Sequence, residues 1–196
     1  MLTIAQLLEP LYRYRTNEVV VTSMSSVHPW ARLSQHALDL ALPDSTMDDV
    51  ADLALGIALA RPDRDVICLT GDDSRPSTFG SLSTILSAHA MNLTLVLLDV
   101  RPLEVPGRSS VTPSRVNHSA LAEASGFDQV FQVEDAREYA QSVPDMLSLT
   151  GPIFIHAIVQ SGNNTLVTKG HTKDIPQLRT SLAESARRVL NALELD

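Results

Sequence analysis

Two adjacent carboxylates, Asp72 and Asp73, follow Gly71 at the end of an apolar run in VICLTGDDSRPSTFG, residues 66–80, and helical patterning resumes after Pro76. A strand that ends in a glycine and an acidic loop, with a helix beyond, is where α/β proteins place metal and phosphate chemistry. The loop carboxylates suit a hard cation, and the free amides of the helix start suit an anion. A second acidic group, Asp48, Asp49 and Asp52, opens another helical segment, in which Thr46 and Asp49 have the spacing of a capping box. Asp99 closes a further apolar run, and Glu104 stands in the loop after it, either as a general acid or base or as a solvated carboxylate. His156, inside an apolar run, reads as a hydrogen-bonded core histidine, and the single cysteine, Cys68, as a buried structural thiol. His28 and Trp30 in VHPWARLSQH either line a substrate mouth or serve as an exposed loop residue and a packed anchor.

These groups need elements to hold them. EVVVT (18–22), DVICLT (65–70), LTLVLLDV (93–100), QVFQV (129–133) and PIFIHAIV (152–159) are short, nearly continuous apolar runs, the mark of strands covered on both faces. Segments with apolar residues at helical spacing lie between them: TMDDVADLALGIALARP, TFGSLSTILSAHAM, NHSALAEASGF and AREYAQSVPDMLSL. The alternation predicts a doubly wound, mainly parallel sheet with helices on both faces and ligands at the carboxyl ends of the strands, with residues 65–70 on a central strand. Residues 23–45 and 100–116 read as irregular loops. A C-terminal helix is expected at about 175–194, with Leu178, Leu182, Val189, Leu190 and Leu193 as its apolar stripe.

Composition narrows the function. The chain has 196 residues, enough for one domain spanning 1–196, and is 44% apolar but only 4% aromatic, so the core must be aliphatic. A net charge of -8 argues against nucleic acid or an anionic membrane as the main partner. The N-terminal MLTIAQLLEPLYRYR lacks the pattern of a signal peptide, which leads to an expected cytoplasmic location.

LALGIALARPDRDVICLTGDDS, GSLSTI and NLTLVLLDV together resemble the cofactor-binding half of thiamine diphosphate enzymes, most of all the short separate subunits of phosphonopyruvate and sulfopyruvate decarboxylase-like enzymes. The likeness spans most of the chain, from VVVTSM and HPWARLSQH to LEVPG. It implies thiamine diphosphate and Mg2+ as cofactors. Asp72 matches the first metal ligand of the family's G-D-G-S turn, with Gly71, Asp73 and Ser74 around it. The second ligand, an asparagine in the family, falls on Val100, and Asp99 one residue earlier would serve only if the strand end slipped. Met47 matches the apolar prop of the bent cofactor, and Ser25 with Ser26 follows a strand end at which the family contacts diphosphate.

The resemblance also implies a separate pyrimidine-binding chain that supplies the activating glutamate, and a homo- or hetero-oligomeric assembly. The function it implies is the cofactor-domain subunit of a two-chain 2-oxo acid decarboxylase. Three departures point elsewhere: Asp48 and Asp73 stand where the family has glycine, and Val100 where it has asparagine. They favour a non-catalytic scaffold or regulatory relative, and the isolated chain is expected to bind thiamine diphosphate and Mg2+ weakly or not at all. A third reading keeps the acidic cluster for cofactor-independent chemistry.

Overall fold

The computed structural model describes residues 2–42, 50–71, 77–101, 116–160 and 180–194. Thr46, Met47, Asp48, Asp49, Asp72, Asp73, Ser74, Glu104 and Leu178 lie outside them. The described residues form one seven-stranded sheet. In chain order the strands are β1 (Leu2–Thr3), β2 (Val19–Ser23), β3 (Asp39–Leu42), β4 (Val66–Gly71), β5 (Leu93–Arg101), β6 (Gln129–Val133) and β7 (Ile153–Gln160). The helices are α1 (Ile4–Tyr14), α2 (Val27–Leu33), α3 (Val50–Ala60), α4 (Ser77–Ala88), α5 (His118–Ser125), α6 (Ala136–Ser148) and α7 (Leu182–Glu194).

All strand pairs are parallel, in the order β3-β2-β4-β5-β7, and β6 and β1 share the far edge of β7. β4 is therefore interior, as its unbroken apolar run predicts. Successive side chains point to opposite faces, and both faces are packed. Val19, Val21, Val66, Cys68, Leu93, Leu95 and Leu97 pack with α3, α4, α5 and α7, whereas Val20, Ile67, Leu69, Val96 and Leu98 pack with α1, α2 and α6.

The stretch 23–45 is not the irregular loop that its Ser and Pro content suggests. It holds α2 and β3, and His28 sits half-buried on a helix rather than exposed on a loop. What organises it is long-range. Buried Asp39 accepts hydrogen bonds from Arg15 Nη1 (2.5 Å), Ser34 Oγ (2.6 Å), Trp30 Nε1 (3.1 Å) and the His36 amide (2.9 Å). Trp30 is a buried anchor in this cluster.

The N-terminal segment forms α1, with Ile4, Leu7, Leu8 and Leu11 buried and a reciprocal cap between Thr3 and Gln6. α7 starts at Leu182, later than about 175, where Ser181 and Glu184 cap each other's amides. Its inner face also differs from the expected stripe. Val189 and Ser185 are buried, Leu182 and Leu190 are exposed, and Leu193 is half-buried. Polar anchors fix that rotation: Arg188 donates to the Asp39 carbonyl (2.7 Å), and Arg61 donates to the Leu193 carbonyl (2.6 Å).

Candidate active site at the carboxyl ends of the central strands

β3 and β4 lie on opposite sides of β2, so the winding reverses at β2, and the carboxyl ends of β2 and β4 are where open α/β sheets place a ligand. Three hydroxyls line this end. Ser26 is fully buried and donates to the carbonyls of Ser23 (2.7 Å) and Leu69 (2.8 Å) while accepting from the Ser23 amide (3.2 Å). It stitches β2 to β4 and faces inward, whereas Ser25 is exposed at the same turn. Ser23 Oγ reaches Thr70 Oγ1 at 3.4 Å. Gly71 closes β4, half-buried, at the level of Leu98 on β5.

β5 runs without a break to Arg101, in continuous register with β7 from Thr94↔Ile153 to Arg101↔Gln160. No slip occurs, so alternation alone decides where the last side chains point. Val100 packs on the α1/α6 side of the sheet and carries no donor. Asp99 points to the opposite face, buried, with His156 Nε2 3.2 Å from its Oδ2. Arg101, two residues on and therefore on the same face, donates to that oxygen through Nε (3.1 Å) and Nη2 (2.9 Å). Burial pushes the Asp99 carboxyl up, but the hydrogen bonds from His156 and Arg101 outweigh it and hold the group below the ordinary carboxylate range.

Behind this pair α5 contributes two side chains. Ser119 Oγ and His156 Nδ1 share a hydrogen bond of 3.0 Å, and the His118 ring packs edge-on against that of His156 at 5.2 Å. Ser119 also donates to Gln132 Oε1 (3.2 Å). A hydroxyl, an imidazole and a carboxylate in series have the parts of a nucleophile relay. All three are buried and the serine hydroxyl is already engaged with Gln132, so here the series orients Asp99. Arg101, Ser119 and Gln132 escaped the sequence reading. Only Arg101 had a signal there, since residues two apart on a strand share a face.

Residues 27–157, more than half of the chain, match the family described as thiamine pyrophosphate enzyme, C-terminal TPP binding domain. The chain belongs to this family. Among relatives of this TPP-binding domain is sulfopyruvate decarboxylase subunit beta from Methanothermobacter thermautotrophicus, 32% identical over 118 residues, which make up 60% of each chain. The chain thus matches less than two thirds of that relative's length.

Solved structures that share the fold include two chains much longer than this one. An enzyme from Mycobacterium smegmatis described as thiamin diphosphate-dependent superposes with a TM-score of 0.65 at 17% identity, over 82% of this chain and 32% of that one. Benzoylformate decarboxylase from Polynucleobacter necessarius gives 0.61 at 18% identity, over 80% and 32%.

The family implies a metal-bridged cofactor, and the end of β5 can be tested against it. Magnesium requires oxygen ligands in near-octahedral array. Val100 offers none, and Asp99 already carries three donor groups on one oxygen. The β5 side of such a metal site does not fit a divalent cation. Asp72, the candidate on the β4 side, lies outside the described residues. No helix among the described residues is long and apolar enough to cross a membrane.

Proposed function

We propose that this chain is the cofactor-domain subunit of a two-chain, thiamine diphosphate-dependent 2-oxo acid decarboxylase-like enzyme, acting in the cytoplasm with a separate pyrimidine-binding chain. The observation that carries the reading is one of proportion. The domain matches about a third of each solved structure, 32% in both, yet 60% of a protein that is itself named a decarboxylase subunit. In this reading the other half of a two-domain site is supplied by the separate pyrimidine-binding chain. α3 supports such an assembly: apart from Asp52 its sequence, VADLALGIALA, carries no charged residue, yet Leu53 and Leu59 on it are 37% and 51% exposed.

The end of β5 favours a second reading, in which the chain is a scaffold or regulatory subunit that no longer binds the cofactor. Val100 and the occupied Asp99 are the specific grounds for it. Co-expression with a pyrimidine-domain chain, followed by calorimetric titration of thiamine diphosphate with Mg2+ and measurement of CO2 release from 2-oxo acids, separates the two. Binding and turnover by the co-purified pair support the decarboxylase. Co-purification without binding supports the scaffold. A stable monomer by light scattering that captures no such chain defeats both.

A further inference from the structure

We propose that the carboxyl end of β5 is a metal-free anion site, in which the Arg101 guanidinium stands where a divalent cation would bridge protein to diphosphate. The inference rests on the family reading only for the class of ligand, a diphosphate group, whether free or carried on a larger molecule.

The geometry supports it in three ways. Arg101 is held by one edge, because Nε and Nη2 both donate to Asp99 Oδ2. Its Nη1 makes no hydrogen bond among the described residues, and the side chain is 46% exposed at the strand end where parallel sheets bind ligands. A guanidinium fixed along one edge offers its remaining N–H groups as a pre-oriented fork, a shape that matches phosphate oxygens.

Second, the buried carboxylate that would otherwise repel an anion is matched by Arg101 and by the donor on His156. Third, that carboxylate is no longer free for a metal. A dication on its other oxygen would stand beside the guanidinium, and the neighbouring ligand position is the aliphatic Val100. The cationic group at this point is therefore a guanidinium built into the chain, with its charge balanced by Asp99 and its remaining N–H groups left to the ligand.

The test is calorimetric titration of inorganic pyrophosphate into the full chain at fixed ionic strength, in EDTA and then in Mg2+ with free pyrophosphate held equal. Binding in EDTA is expected, with affinity changed less than threefold by Mg2+. Arg101→Met should weaken it at least tenfold, and Arg101→Lys, which keeps the charge but loses the fork, should fall between. In parallel, Mn2+ binding followed by electron paramagnetic resonance should be the same for the unaltered protein and Asp99→Asn. Absence of binding in EDTA, indifference to Arg101→Met, or Mn2+ affinity that Asp99→Asn abolishes would each overturn the proposal. The partner chain takes no part in this experiment, so its failure leaves the two-chain reading to be judged by co-expression.

Discussion

His156 Nε2 lies 3.2 Å from Asp99 Oδ2 although the two residues are 57 apart in sequence. The β5–β7 register creates the contact: Leu97 pairs with His156 and Asp99 with Ile158, so the two side chains are diagonal neighbours on one face of the sheet. His156 and Asp99 are both buried, whereas Arg101, the carboxylate's other partner, is half-exposed.

That difference sets an order of cost. His156→Phe keeps a ring of similar volume and removes both nitrogens, so it should destabilise the fold by about 3 kcal/mol, the usual penalty for stripping one partner from a buried pair. Arg101→Met should cost about 1 kcal/mol or less, because water screens the exposed partner. Urea denaturation of the two variants checks the order, and a larger loss for Arg101→Met would contradict it.

Asn92 ties the turn before β4 to the end of α3. Its Nδ2 donates to the carbonyls of Ala58 (3.1 Å), Arg61 (3.0 Å) and Arg64 (2.7 Å). Asn92→Ala leaves those acceptors without this donor and should lower stability by about 2 kcal/mol. The expected readout is a lower urea midpoint with an unchanged slope.

Tyr139 is the converse case. Its ring is buried in the α1/α6 core, and its hydroxyl has no hydrogen-bond partner among the described residues. Burial pushes the phenol well above its ordinary pKa. A buried, unpaired hydroxyl carries a desolvation penalty, so Tyr139→Phe should raise stability by about 1 kcal/mol. A thermal melt below that of the parent would show that the hydroxyl has a partner.

Cys68 should be chemically silent. It is fully buried in β4, and burial, with a smaller contribution from the charge of Asp52, pushes the thiol up to about 12. The thiolate is the reactive form, and raising the pKa keeps the thiol protonated at neutral and mildly basic pH. Alkylation at pH 8 should be undetectable in the native protein and complete in denaturant. Labelling of the folded chain would mean that β4 opens.

The sequence determined the fold class, the family and the five longest strands, because continuous apolar runs and the glycine-aspartate turn are local patterns. β6 spans Gln129–Val133 as the sequence predicts, and the others differ by a residue at their ends. Although it was not among the helices expected above, α1 was legible in the spacing of Ile4, Leu7, Leu8 and Leu11 and in Thr3 with Gln6 as its cap. β3 was not, since DLAL is short and begins with a charge whose main partner, Arg15, is 24 residues away. Only the tertiary structure could decide the state of Asp99. The family resemblance offers it as a metal ligand only if the strand end slips by one residue, but strand pairing brings His156 to it, alternation brings Arg101, and α5 supplies the serine behind them. A carboxylate's chemistry depends on which groups surround it, and here one of those groups comes from a strand that the local pattern around Asp99 does not contain.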